Sequence, residues 1–227
     1  MYFKFRRPCA RQFAITFLAA ATALTSISPA HAVPIVLNFD ELPSTAAFAA
    51  GTSIPLAAQL STHYQPSYGV TFSSVQPYVP VVPLNDTAPS PPNGIGMSDA
   101  AGLVSYSTFI NAIFTMPGNP FAPAVTDFVS VQGDLFATNL DGILTLTAYD
   151  RFGNVIAVDQ QHESAGVVLS VSVPGIHGVQ IIGDGSTAFD NFTFNATQLI
   201  PEPGSLVLAG MAVVAALVAA HRRRANL

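Results

Sequence analysis

The stretch "GILTLTAYDRFGNVIAVDQQ", residues 142–161, decides the fold class. Leu144, Leu146 and Ala148 alternate with Thr145, Thr147 and Tyr149, a pattern that gives an extended chain one apolar and one polar face. "RFGN" then interrupts the pattern with turn residues, and "VIAVDQQ" resumes it, so the segment predicts a β-hairpin.

Working outward toward the C-terminus, "VVLSVSV" (167–173) sets Val167, Leu169, Val171 and Val173 on one face, and Pro174-Gly175 is expected to end it. "HGVQIIG" (177–183) and "AFDNFTFN" (188–195) follow, separated by "DGST". Toward the N-terminus, "AVTDFVSVQG" (124–133), "SYSTFINAIFTM" (105–116), "YGVTFSSV" (68–75) and "PIVLNFDE" (34–41) read as further strands. The connector "STAAFAAGTSIPLAAQLSTHY" has room for a short helix. "QPYVPVVPLNDTAPSPPNGIGM" (76–97) holds six prolines, each removing a ladder donor, and is expected to be a long surface loop. No sustained helical period separates the strands, so crossover helices are missing and antiparallel sheets are expected. The 168 residues from Val33 to Ile200 suffice for one core. The prediction is an all-β, antiparallel β-sandwich.

Charge narrows the function classes. Between Val33 and Ile200 one arginine, Arg151, stands against twelve carboxylates, a net charge of −11 that the whole-chain value of −5 conceals. Such a body cannot neutralise a phosphate backbone, which excludes nucleic acid as a partner. Cations and neutral polymers such as sugars are its natural small partners, although acidity alone also serves solubility. Cys9 is the only cysteine and lies in the leader described below, so the mature chain has no disulfide.

Catalytic patterns are missing. There is no G-x-S-x-G elbow and no H-E-x-x-H, and His63, His162 and His177 are dispersed. Twelve carboxylates offer many pairs for glycoside hydrolysis, but spacing singles out none, since Asp141-Gly142 and Asp184-Gly185 are turn dipeptides and Asp150 ends a strand. The expectation is a protein without enzymatic activity; a secreted hydrolase is the least favoured class. A carbohydrate-binding module is the alternative, with Tyr64, Tyr68, Tyr78, Tyr106 and Tyr149 as stacking candidates, weakened by the absence of tryptophan.

Two acids fall in register with core-facing positions. Glu41 continues the face of Ile35, Leu37 and Phe39, and Asp190 opens that of Phe192 and Phe194. A carboxylate at the edge of a core needs a partner, and in a body with one arginine a Ca²⁺ ion is the candidate, with Asp40, Asn191 or main-chain carbonyls completing an oxygen shell. The opposing reading places both acids at strand ends in solvent, as charges that deter aggregation. "NFDEL" and "FDNFTF" also resemble the corresponding pieces of jelly-roll, galactose-binding-like sandwiches. That resemblance implies a structural calcium shared between an acid after the first strand and an Asp in the last.

The two ends of the chain carry an address. Lys4, Arg6, Arg7 and Arg11 precede "FAITFLAAATALTSI" and then "SPAHA", the layout of a signal peptide with a helical apolar core. Ala30 and Ala32 fit the small-residue rule, so residues 1–32 are expected to be removed after Ala32. The Arg6-Arg7 pair suggests a twin-arginine signal, but Pro8-Cys9-Ala10 lacks the apolar residues of such signals. At the other end Ser205 to Ala220 is an uncharged run of 16 residues, about 24 Å as a helix at 1.5 Å per residue, slightly short of a hydrocarbon core. Arg222, Arg223 and Arg224 follow and hold the end in the cytoplasm, leaving the acidic body outside. Pro201-Glu202-Pro203 keeps the chain extended just before this transmembrane helix, as proteases prefer their substrates.

"PEPGSLVLAGMAVVAALVAAHRRR" looks like the PEP-CTERM protein-sorting signal of Gram-negative bacteria. The resemblance covers only the last 27 residues, which end in Ala225-Asn226-Leu227. It implies export across the inner membrane, recognition and cleavage near Pro201-Glu202-Pro203 by an exosortase, and release or attachment at the cell surface, often within exopolysaccharide or biofilm matrix. The expected organisation is a signal peptide (1–32), a β-sandwich (33–198) and a sorting signal (199–227). The expected function is a structural or adhesive component of the envelope or extracellular matrix.

Overall fold

A computed structural model describes residues 33–42, 60–74, 79–81, 90, 93–98, 104–105, 108–135, 142–162, 166–183, 187–200 and positions 210, 211, 213, 214, 216 and 217. The strands in chain order are β1 (Pro34–Leu37), β2 (Val70–Ser74), β3 (Val79–Val81), β4 (Gly96–Ser98), β5 (Val104–Ser105), β6 (Thr108–Met116) and β7 (Asn119–Leu135). After them come β8 (Ile143–Tyr149), β9 (Val155–His162), β10 (Val168–Ile176), β11 (Gly178–Gly183), β12 (Thr187–Asn195) and β13 (Gln198–Leu199). A single helical turn, α1 (Gln65–Tyr68), with proline in its first turn, precedes β2.

The 142–161 hairpin forms as the alternation requires. Leu146 of β8 faces Asp159 of β9, and Thr147 faces Val158. The turn between them is closed by Asp150, whose Oδ1 accepts the amides of Phe152 (2.8 Å) and Asn154 (2.9 Å). Gly153 takes the left-handed φ of 82° that this closure demands. Leu144, Leu146 and Ala148 are fully buried, so the apolar period points inward.

Every pairing between described strands is antiparallel. One curled sheet runs β1-β12-β7-β6-β11-β8-β9, with β2 beside β6 and both β10 and β13 beside β7. It amounts to two layers. β1, β12, β7 and β10 make one, β2, β6, β11, β8 and β9 the other, and the β6–β7 turn at Met116 and Asn119 joins them. Aromatic rings bridge the layers: Phe72 of β2 meets Phe192 of β12 edge-on at 5.3 Å, and Phe114 of β6 meets Phe194 at 5.1 Å. Burying each such ring contributes about 1.5–3 kcal/mol, and the edge-on approach of Phe72 to Phe192 suits their quadrupoles. Antiparallel all-β architecture thus follows from the sequence pattern.

Two expectations need correction. The proline-rich segment is not simply a loop, because Val79–Val81 and Gly96–Ser98 pair as β3 and β4 in a small sheet ordered β3-β4-β5. Pro80 is tolerated because β3 is an edge strand, where a missing donor interrupts no second ladder. β10 also runs on through Pro174-Gly175 to Ile176; a register shift between Ser172 and Ile176, with Gly175 at φ 89°, takes up the extra residues as a bulge.

Among the described residues no helix is long and apolar enough to cross a membrane. The expected signal helix (1–32) lies outside the described residues, as does most of the expected span (205–220), in which positions 210, 211, 213, 214, 216 and 217 are helical. Just before it, β13 adds Gln198 and Leu199 to the edge of β7 opposite Val125 and Ala124.

Candidate functional site

Asp190 is the only acid that the described structure buries completely, with 0% of its surface exposed. Its placement comes from an irregularity in β12. Phe189 pairs with Gly133 and Asp190 with Gln132, but Thr193 pairs with Ser130, so β12 carries one residue more than β7 over this span. Asn191 absorbs the excess at φ 49°, a left-handed conformation that asparagine accepts better than most residues.

The bulge changes which face each side chain takes. Phe189, Phe192 and Phe194 all point into the core, a spacing of three and then two. Asp190 therefore lies on the opposite face, with Gln132, and not on the face of Phe192 and Phe194 that simple alternation assigns. It is buried there by the segment leading into β4. Ser90 donates to Asp190 Oδ2 from its amide and its hydroxyl, both at 2.7 Å, and Asn191 N donates to Oδ1 at 2.6 Å. Ile95 continues the cover by bridging Phe189. Burial holds the Asp190 carboxyl above the usual carboxylate range; the Ser90 and Asn191 hydrogen bonds oppose this, and the charge of Asp40 adds to it.

Asp40 arrives from the end of β1. The strand stops at Leu37, Phe39 turns left-handed at φ 62°, and Leu42 N closes a turn on Phe39 O at 3.1 Å. Asn38 Nδ2 donates to Asp40 Oδ2 at 2.9 Å, and Asn93 N donates to Asp40 Oδ1 at 3.3 Å. Asn93 is completely buried and pins the turn by donating from Nδ2 to Phe39 O (2.9 Å) and Leu42 O (3.0 Å). Its Oδ1 has no hydrogen-bond partner. A buried amide oxygen left so is costly, which makes it a candidate ligand atom.

The turn also ends the alternation on which Glu41 was placed. Glu41 is exposed, and it lies beside the buried hydroxyl of Tyr64, whose pKa is pushed up by burial and then by Glu41 itself. Glu41 is thus exposed and acts on Tyr64, whereas the charge of Asp40 reaches Asp190. The donors around them are all oxygen: two carboxylates, the Asn93 amide and main-chain carbonyls. That chemistry suits a hard cation such as Ca²⁺. Among the described residues no group of three or more His, Cys, Asp or Glu could hold a metal, so any shell must lean on amide and carbonyl oxygens.

Sequence reasoning missed Ser90 and Asn93. Both lie in the proline-rich stretch, and only their long-range partners give them a role.

The remaining candidates are scattered. Tyr64 is 2% exposed, packed against Phe39 and Phe72, and offers no face to a ligand. Tyr68 is exposed on α1, and Tyr149 is half-buried at the end of β8. Tyr78 and Tyr106 lie outside the described residues, as do Ala30, Ala32, Pro201, Glu202, Pro203, Arg222, Arg223 and Arg224. His63 and His162 are exposed, and half-buried His177 places Nδ1 2.8 Å from Ala124 O.

Residues 199–224 match the PEP-CTERM protein-sorting motif, which marks an exported, membrane-anchored precursor handled by an exosortase on its way to the cell surface. No curated protein matches the chain in sequence. Among solved structures, an arabinose-bound α-L-arabinofuranosidase is 13% identical over 74% of this chain and 31% of that one, with a TM-score of 0.36. The C-terminal family 22 carbohydrate-binding module of Clostridium thermocellum Xyn10B is 14% identical over 57% of this chain and 88% of that one, with a TM-score of 0.36. The K2 cleaved adhesin domain of Lys-gingipain is 10% identical over 72% of this chain and 99% of that one, with a TM-score of 0.37. The chain spans about a third of the arabinofuranosidase. Likenesses this distant bear on neither ligand nor activity.

Proposed function

We propose that this chain is an exported surface protein of a Gram-negative bacterium. An exosortase cuts it near Pro201-Glu202-Pro203, and its β body serves a non-catalytic structural or adhesive role in the envelope or extracellular matrix. The observation that carries this reading is the sorting motif at residues 199–224, which begins where the body ends: β13 reaches Leu199, and Ile200 N makes the body's last described contact, to Pro123 O. A cut just beyond Ile200 leaves every described strand in the released part. In support of a non-catalytic role, Asp190 lies behind the Ser90–Ile95 segment, closed to solvent and hence to substrate. Mass spectrometry of the mature C-terminus, in hosts with and without an exosortase, tests the reading. Loss of residues beyond the motif only when the enzyme is present is expected; an intact Leu227 in the surface fraction refutes it.

A second reading concerns the body itself. The charge of Asp40 reaches Asp190; Arg151, the one Lys or Arg among the described residues, is at the β8–β9 turn; and Asn93 Oδ1 lacks a partner. A structural Ca²⁺ held by Asp190, Asp40 and Asn93 Oδ1 would neutralise the carboxylates and tie the β1 turn to β12. Ligand linkage then requires melting to rise with added calcium and fall after EDTA; an unchanged midpoint sinks it.

A further inference from the structure

The outer face of the β2, β6, β11 and β8 layer has an order that the core does not explain. Phe72, Ala112, Val179 and Ala148 form a row across the four strands and point inward. The rows on either side point outward. One is Ser73, Asn111, Gln180 and Thr147, a run of uncharged donors and acceptors crossing all four strands, in which Thr147 is covered and Ser73 is exposed. The other is Thr71, Ile113, Gly178 and Tyr149.

Gly178 has no side chain to fill the space between Ile113 and Tyr149, and a depression of about 330 Å³ opens over this region. That is near the lower end of the roughly 300–1,000 Å³ of small-ligand sites. Its walls differ in character. Tyr149 and the 43% exposed Ile113 supply apolar surface, and Ser73 and Asn111 supply polar atoms. Gln180 braces the wall, donating from Nε2 to Asn111 Oδ1 at 3.2 Å and accepting from Tyr149 Oη at 3.5 Å. Asn111 and Tyr149, which Gln180 links, both line the depression.

Charge at the rim is balanced: Asp150, held by its own turn, and Arg151, the single cation of the body, which lies over the Phe152 ring at 4.5 Å, both line the depression. A phosphorylated or nucleic-acid ligand would meet one cation, beside the Asp150 carboxylate, in a body of net charge −11. A purely apolar ligand would leave the Ser73-Asn111 row unpaired. What suits these walls is a ring with an apolar C–H face and a hydroxylated edge.

We propose that this groove binds a neutral saccharide, which stacks on Tyr149 and Ile113 and is read through its hydroxyls by Asn111 and Ser73. The inference rests on the adhesive reading of the body and supplies the class of polymer to which the body adheres. The test is isothermal titration of the full processed protein with neutral gluco-, xylo-, manno- and galacto-oligosaccharides, alongside uronate-bearing ones. Binding of at least one neutral class is expected. Tyr149→Ala, Asn111→Ala and the groove-filling Ser73→Phe should each weaken it tenfold or more with melting unchanged. Tyr149→Phe, which keeps the ring, should retain most of it. No binding at ligand concentrations up to about 10 mM, binding indifferent to Ser73→Phe, or binding of uronates alone overturns the proposal. Processing at the sorting motif is read on the same preparation. Correct cleavage without saccharide binding overturns the groove alone, and saccharide binding with Leu227 intact overturns the sorting reading alone.

Discussion

Asp190 shows what one buried carboxylate does to stability. Its folded pKa lies above its unfolded value because burial outweighs the Ser90 and Asn191 hydrogen bonds. For a group raised in this way, the stabilising contribution is fully present below the unfolded value, near 3.8, and is lost as pH rises through the folded value. In EDTA, the melting midpoint of the wild type minus that of Asp190→Asn should therefore increase as pH falls from about 7 to about 4. Calcium reverses that slope, since the metal requires the ionised carboxylate. A slope of the same sign in both conditions argues against a cation at this position. Asp150 works the other way. The Asn154 side chain, with the turn amides, holds its carboxyl below the usual range, so its support for the hairpin is present at neutral pH and lost on acidification. Asp150→Ala should lower the midpoint more at pH 7 than in acid.

At the scale of the element, the β12 bulge is the feature on which the candidate site depends. Asn191 occupies a left-handed conformation that a β-branched residue resists by roughly 1–2 kcal/mol. Asn191→Val should destabilise the body by at least that much. Asn191→Gly, which relieves the backbone and loses only the Gln132 and Ser90 contacts, should cost less. The reverse order in denaturant unfolding would remove the bulge from the account. Strand existence was legible because side-chain alternation is a property of neighbouring residues: 142–150, 167–173 and 188–195 all announce themselves. The bulges at Asn191 and Gly175 were not legible. An extra residue shows only against the partner strand, and in Asp190-Asn191-Phe192 nothing local distinguishes a bulge from regular pleat. The two strands flanking the prolines escaped for a similar reason, because an edge position makes Pro80 acceptable and edges belong to the sheet.

For the whole molecule, the aromatic seam between the layers sets stability. Phe192 touches Phe72, Phe114 and Phe194, and it is fully buried. Phe192→Ala should cost about 3–5 kcal/mol, a large part of the roughly 5–15 kcal/mol that a domain of this size holds. Soluble yield and urea unfolding would both register it. A chain ending at Ile200, by contrast, should melt like the full-length protein, since the described core lies between Leu37 and Phe194; a clear drop would mean that the sorting segment contributes to the fold.

The β character of the body, its central hairpin, its excess of acid and the sorting address at residues 199–224 were determined by the sequence alone. Each is a matter of composition or of neighbours along the chain, and short-range sterics and charge count read such features directly. Tertiary structure decided the rest. It turned Asp190 away from the face of Phe192, brought Ser90 across 100 positions to Asp190 and Asn93 across 53 to Asp40, and left Glu41 outside. It also brought Asn111 and Tyr149 from two strands to one depression, with Gln180 of a third bonded to both. These arrangements depend on cross-strand register, where one inserted residue reverses a side chain's face, and register is set only when the two layers pack.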